Sequence, residues 1–335
     1  MLKPKALKRG DTIAIISPSS DISRFPKRTR RAVAFLEKRG YKIKMMPSAL
    51  KTDGYSGGKA KDRALDINNA FADKKIDAIL CSTGGLTANA VLPYINYKLI
   101  ASNPKIFCGY SDITTLLLMI TSKSKIVTFH GPTLLPSFGE FEGSVSFTFD
   151  QFEKLISSKK GVGLLPKAKK YSIDNQYWEK QDNKKLKMVE SPKIVSFGPK
   201  GTFSGSLFGG NLQTFVMLMK EESFFNLNGA ILFLEESGLS TDWYERYIIE
   251  LERNSVFEKI NGLIFGNVSG GFKESGGAKR SLGKLLKEIS KKYNLPILAN
   301  IDCGHTKPLL TFPLGVEVGI DTKNKKIFIK EAAVQ

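Results

Sequence analysis

The chain has 335 residues, 41% hydrophobic and 25% charged, with a formal net charge of +19, which suits a soluble globular protein of two domains or one large α/β domain. No apolar run reaches bilayer-spanning length, and the basic start Met1-Leu2-Lys3-Pro4-Lys5 has no apolar core behind it, so neither a membrane partner nor a secretory signal is expected and the chain is placed in the cytoplasm. Lysines are spread along the whole chain with no dense basic stripe, which argues for a solvated surface rather than a nucleic-acid partner, while still favouring an anionic small substrate.

In chain order, Thr12 to Ser17 reads as a strand, Lys27 to Arg39 as a helix stopped by Gly40, and Lys42 to Met46 as the next strand. Lys59 to Phe71 follows as a helix, then strand Asp77 to Ser82, strand Lys105 to Cys108, helix Asp112 to Ile120 and strand Lys125 to Phe129. This alternation predicts an α/β fold whose N-terminal domain, residues 1–158, is a doubly wound parallel sheet. Residues 159–193 are Lys-rich and polar and hold Trp178, and read as a linker or lid. Residues 194–335 form a smaller mixed α/β domain with antiparallel strands. Its expected elements are a Gly-rich strand Gly201 to Gly210, a helix from Asn211, strand Ala230 to Glu235, and helix Thr241 to Val256. Strand Gly262 to Val268, helix Leu282 to Tyr293, strand Pro296 to Ile301, and a hairpin of Val316 to Ile320 with Lys326 to Ile329 complete it.

The chemistry-bearing residues cluster at strand exits, where ligands bind in open α/β sheets. The two histidines, His130 and His305, both stand there, and their scarcity excludes a metal site with three His ligands. Cys81, Cys108 and Cys303 have no zinc-like spacing and are expected to be reduced. Ser17-Pro18-Ser19-Ser20 follows the first strand in place of a Gly-rich fingerprint, so no dinucleotide, and no other cofactor, is expected. Ser111, at a strand-to-helix junction, is either an exposed nucleophile backed by the N–H of Asp112 or the cap of the helix that follows. Gly84-Gly85 after another strand either brings backbone N–H groups to a ligand or makes a plain turn. Glu235 and Glu236 end an apolar strand on opposite faces, so one of them is available to orient a histidine.

Taken together, these motifs resemble the LD-carboxypeptidases of murein recycling and their relatives, the microcin C immunity proteins. The resemblance runs through Ser82-Thr83-Gly84-Gly85 with Asn89, Asn103-Pro104-Lys105-Ile106 leading into Gly109-Tyr110-Ser111-Asp112-Ile113-Thr114, and His130-Gly131-Pro132. It continues in Gly205-Ser206-Leu207-Phe208-Gly209-Gly210-Asn211-Leu212, Phe233-Leu234-Glu235-Glu236, and Gly304-His305-Thr306 with Pro308. The resemblance implies a serine carboxypeptidase with a Ser111, Glu235 and His305 triad, an oxyanion hole from the N–H groups of Gly85 and Asp112, and a homodimer. Substrate contacts are expected from Trp178, Asn211 and His130, the last also second to His305 as base, and the resemblance implies that the tryptophan stacks on a nucleobase or aromatic group. Thr83-Gly84-Gly85-Leu86 with Asn89 is closer to the microcin immunity branch, so the expected substrate is a small peptide or peptidyl-nucleotide. A binding protein that uses the same cleft without cleavage is the alternative.

Overall fold

Apolar runs in the first half become strands buried on both faces, as a parallel sheet covered by helices requires. The structure, a computed structural model, describes residues 1–141, 145–172, 183–221, 226–267 and 281–335. The first half runs β1 (Thr12–Ile16), α1 (Pro26–Lys38), β2 (Lys42–Met45), α2 (Ala60–Ala72), β3 (Ala78–Cys81), α3 (Tyr97–Ser102), β4 (Ile106–Gly109), α4 (Thr114–Ser124), β5 (Thr128–His130) and α5 (Val145–Ser157). Pro26 stands in the first turn of α1, where its missing N–H is no loss, and Ala32 and Leu36 carry that helix's buried face. β2 shows alternating exposure, with Lys42 and Lys44 outward, as suits a protected edge strand. Helix α4 is the exception to amphipathic patterning: Thr114 through Ser122 are all buried, the mark of a helix enclosed on every side.

Two short pairings lie in the region expected as a lid. β6 (Gly163–Leu164) joins a sheet of the second half, and β7 (Lys170–Tyr171) pairs with β8 (Val189–Glu190). Trp178 falls within residues 173–182, outside the described residues. The second half continues with β9 (Val195–Phe197), β10 (Thr202–Asn211), α6 (Leu212–Leu218), β11 (Ile231–Glu235), α7 (Thr241–Arg253), α8 (Val256–Lys259) and β12 (Gly262–Gly266). It ends with α9 (Leu282–Tyr293), β13 (Ile297–Ile301), β14 (Phe312–Leu314), β15 (Glu317–Asp321) and β16 (Lys326–Ile329).

The first sheet has the order β14-β5-β4-β3-β1-β2, parallel except for β14. Its parallel part reverses direction of winding between β1 and β3, the switch point at which doubly wound sheets open a crevice. The second sheet has the order β6-β16-β15-β10-β11-β12-β13-β9, with β10 to β13 parallel and antiparallel flanks. β10 is the pivot: Thr202 to Ser206 pair antiparallel with β15, and Leu207 to Asn211 pair parallel with β11. Gly210 has φ +143° and a Cβ there would lie 2.5 Å from Thr114 Cγ2, so the end of β10 can pass against α4 only without a side chain.

Several expected boundaries differ for local reasons. Lys125 adopts a left-handed conformation that caps α4, so β5 begins at Thr128 rather than at Lys125. The helix expected to reach Val256 ends at Arg253, because Ser255 at φ 55° turns the chain into the separate α8. α3 carries no strong period but is opened by Asn96, whose side chain accepts from the Leu99 N–H at 3.0 Å. Strand β14 comes from the C-terminal half yet completes the N-terminal sheet, so the two halves interlock. Among the described residues no helix is long and apolar enough to cross a membrane.

Leu117, wholly buried in α4, tests how far this enclosed helix supports both sheets. Leu117→Ala is expected to destabilise the protein by about 2–5 kcal/mol, read as a lower urea midpoint at unchanged slope.

Candidate active site

Ser111 follows β4 at φ 65°, a left-handed conformation that is costly for a residue with a Cβ. The extended Tyr110 precedes it and a short 3-10 turn, Ser111–Ile113, leads into α4. In this tight turn the side chain points away from the helix: Ser111 Oγ lies 3.0 Å from His305 Nε2 and makes no capping bond. The backbone is therefore strained at the residue whose hydroxyl meets an imidazole.

The loop after β3 lies against this turn. A Cβ on Gly84 would stand 2.9 Å from Ser111 Cβ and 3.0 Å from its Oγ, and Gly85, at φ +154°, has no room for one beside Ser19 and Ser20. The loop is fixed by polar bonds rather than by packing. Asp112 Oδ2 accepts from Ser19 Oγ at 2.5 Å and from the Ala88 N–H at 2.8 Å, while Ser19 Oγ accepts from the Thr87 N–H at 3.2 Å. The Ser20 N–H donates to Gly84 O at 3.2 Å. Sequence reasoning missed this role for Ser19, Ser20 and the Asp112 side chain; the visible signal was the run of small hydroxyl residues at the exit of the first strand.

The second sheet supplies the other groups from the carboxyl ends of β10, β11 and β13. Glu235, the last residue of β11, is wholly buried, and its Oε2 lies 2.8 Å from His305 Nδ1. Gly304, at φ +106°, passes over that carboxylate so closely that a Cβ would collide with it. Strand alternation separates the two acids as expected. Glu236 instead accepts from Asn211 Nδ2 at 3.0 Å and from the Ser237 N–H at 2.9 Å, and lines the cleft. Asn211 caps α6 through its Oδ1, which accepts from the Thr214 N–H at 3.1 Å, and also lines the cleft.

The loop carrying His305 is held on both sides. Lys307 exchanges backbone hydrogen bonds with Ser172, at 2.7 and 2.9 Å, and its ammonium meets the Glu140 carboxylate, which also takes the buried guanidinium of Arg28. The Tyr110 ring packs edge-on against the His305 imidazole, with centroids 5.2 Å apart.

The structure corrects the expectation for His130. It is wholly buried, its ring packed edge-on against Phe233 of β11 and Tyr110, and it does not line the cleft.

Electrostatics follow from burial and pairing. Burial raises the Glu235 carboxyl, but the field of His305, the neighbouring His130 and the His305 hydrogen bond together outweigh that and hold it below the usual carboxylate range. Burial lowers His305, yet the Glu235 charge and hydrogen bond, with Glu236 adding, lift it above the ordinary histidine value. Glu236 is raised by burial and by the neighbouring Glu235. The cleft beside Ser111, of about 670 Å³, runs from Gly85 and Leu86 past Asn211 and Glu236 to Lys123 and Met217. A hydroxyl, an imidazole and a carboxylate in line at its edge form an arrangement able to take a proton from the hydroxyl and stabilise the imidazolium that results.

Because Glu235 raises His305, removing its charge must lower it. With only His130 and His305 in the chain, an NMR titration of ¹⁵N-histidine-labelled protein is expected to show His305 titrating at lower pH in Glu235→Gln than in the wild type.

Known proteins match the chain over nearly its whole length. Residues 13–131 match the LD-carboxypeptidase N-terminal domain, and residues 204–320 match the LD-carboxypeptidase C-terminal domain. The chain is 36% identical to the microcin C7 self-immunity protein MccF of Escherichia coli, over 96% of this chain and 94% of that protein. It is 26% identical to the Bacillus subtilis (strain 168) protein named "Probable murein peptide carboxypeptidase", over 98% of this chain and 94% of that one. The solved structure of MccF in complex with aspartyl sulfamoyl adenosine superposes with a TM-score of 0.93 at 34% identity, covering 100% of both chains. An MccF-like protein from Bacillus anthracis str. Ames superposes at 0.89 and 32% identity, covering 99% of this chain and 100% of that one. By both of its matched domains and by these full-length relatives, the chain belongs to the LD-carboxypeptidase family.

Proposed function

We propose that this protein is a serine carboxypeptidase that hydrolyses the amide of a small aminoacyl or peptidyl nucleotide, with Ser111, His305 and Glu235 as its triad. The observation that carries this reading is the continuous line from Ser111 Oγ to His305 Nε2 at 3.0 Å and from His305 Nδ1 to Glu235 Oε2 at 2.8 Å. In the first step, His305 Nε2 takes the Ser111 proton as Oγ attacks the carbonyl carbon, and Glu235 holds the imidazole tautomer and stabilises its charged form. The N–H groups of Gly85 and Asp112 receive the tetrahedral oxyanion. His305 then gives its proton to the leaving nitrogen, and the acyl-enzyme is released by water with His305 again as base.

The nucleotide side of the proposal draws on the relatives. Solved structures of MccF hold glutamyl sulfamoyl guanosine and aspartyl sulfamoyl adenosine. The cleft here is of a size that takes ligands of that kind, and its wall includes the apolar side chains of Leu92, Met119 and Met217. A murein tetrapeptide is the competing substrate class, and it is tested alongside.

Purified protein incubated with aspartyl sulfamoyl adenosine and with a murein L,D-tetrapeptide is expected to release aspartate from the first, followed by mass spectrometry. Release of terminal D-alanine alone would move the assignment to the murein class. Ser111→Ala is expected to lose at least ~10⁴-fold in kcat while keeping its melting temperature and binding, whereas unchanged turnover would refute the nucleophile assignment. His305 must be neutral to act as base, and its proton affinity is raised above the ordinary 6.5. The kcat/KM profile is therefore expected to fall on the acid side with a midpoint above that value.

A further inference from the structure

His130 is a buried histidine that the proposed chemistry leaves unused. It ends β5 with Gly109 of β4 on one side and Phe312 of β14 on the other. Its ring stands edge-on to Phe233, with centroids 4.9 Å apart, and to Tyr110 at 6.2 Å. A phenylalanine would fill such an aromatic pocket without a polar atom. Instead, both ring nitrogens are buried without a hydrogen-bond partner among the described residues. The facing atom is in the same condition: Oε1 of Glu235, the carboxylate oxygen that His305 does not use. His130 Nε2 faces that oxygen at 3.8 Å, one ångström or so beyond hydrogen-bond length. Buried polar groups are ordinarily satisfied, so a facing donor and acceptor left open beside a reacting group mark a bond that closes during reaction rather than a packing choice.

We propose that His130 is a positioning residue that acts through Glu235: with its proton on Nε2, it donates to Oε1 as His305 becomes charged and fixes the plane of the carboxylate. Glu235 would then lie between two imidazoles, one on each oxygen, and only the outer one would exchange a proton with Ser111. Tyr110, from the turn before Ser111, packs edge-on against both His130 and His305. This inference rests on the triad reading above.

The test compares His130→Phe, which keeps the aromatic packing, with His130→Gln, which restores a donor, using aspartyl sulfamoyl adenosine turnover. His130→Phe is expected to keep its KM and lose about 10-fold in kcat, the worth of one hydrogen bond made in the transition state, and His130→Gln to recover part of it. In a Glu235→Gln background, His130→Phe is expected to add less than about 2-fold, since it acts through that carboxylate. A bond that closes only when His305 is charged stabilises that charged form, so its removal makes His305 less basic. The ¹⁵N signal of His305, the sole histidine left in His130→Phe, is expected to titrate at lower pH than in the wild type.

Wild-type kcat and an unmoved His305 titration in His130→Phe would reduce His130 to packing and overturn the inference. So would a loss that is undiminished in the Glu235→Gln background. If His130→Phe fails to fold, His130→Gln and His130→Asn decide by the same titration. Ser111→Ala, run in parallel, separates the two levels. An active Ser111→Ala sinks the triad reading itself, whereas an inactive Ser111→Ala beside an unimpaired His130→Phe sinks only the role of His130.

Discussion

The buried bond between Glu235 and His305 is the contact around which the site is organised. A carboxylate with no exposure is stable as an anion only beside a positive or proton-donating partner, and His305 Nδ1 at 2.8 Å supplies it. The same bond fixes which imidazole nitrogen is left to face Ser111. Each partner reaches the other by a different route: Glu235 ends β11, and His305 follows β13 on a loop that passes over the carboxylate at Gly304. The field that lowers one group raises the other, so the pair holds its charge distribution as a unit.

For that pair to meet Ser111, two sheets must present their carboxyl ends to one crevice. The interlocking of the halves provides this. β14 crosses from the C-terminal half to the edge of the first sheet, and α4, which begins three residues after Ser111, is enclosed and touches β10 through Gly210. The Asn211 N–H donates to Thr114 Oγ1 at 3.0 Å, which ties the end of β10 to the first turn of that helix. The turn at Ser111 and the floor of the cleft are therefore set by the same contacts.

The Gly84-Gly85 side of the site is built by a different device. Ser19, Asp112 and Thr87 form a chain of short polar bonds that holds the Gly84-Gly85 loop against Ser111. It lies at the exits of β1 and β3, the switch point of the sheet, so topology opens the crevice and local hydrogen bonds shape it. Preorganised donors of this kind need no rearrangement when charge develops.

The sequence by itself determined most of the periodic elements, the fold class and the candidate site residues, because strand alternation, glycine stops and strand exits are local properties of the chain. Ser111, Glu235 and His305 were legible as strand-exit residues; the two-residue repeat of a strand separated Glu235 from Glu236, and the family resemblance chose between them. The tertiary structure alone decided that Ser111 takes a left-handed turn instead of capping its helix, since that depends on Gly84 and His305 closing in from elsewhere. It alone placed His130 inside rather than at the cleft, because Phe233, whose ring packs on it, lies more than 100 residues later in the chain. It alone also gave Ser19 and the Asp112 carboxylate their loop-holding role, for these contacts join segments distant in sequence and are fixed by packing, which no local pattern encodes.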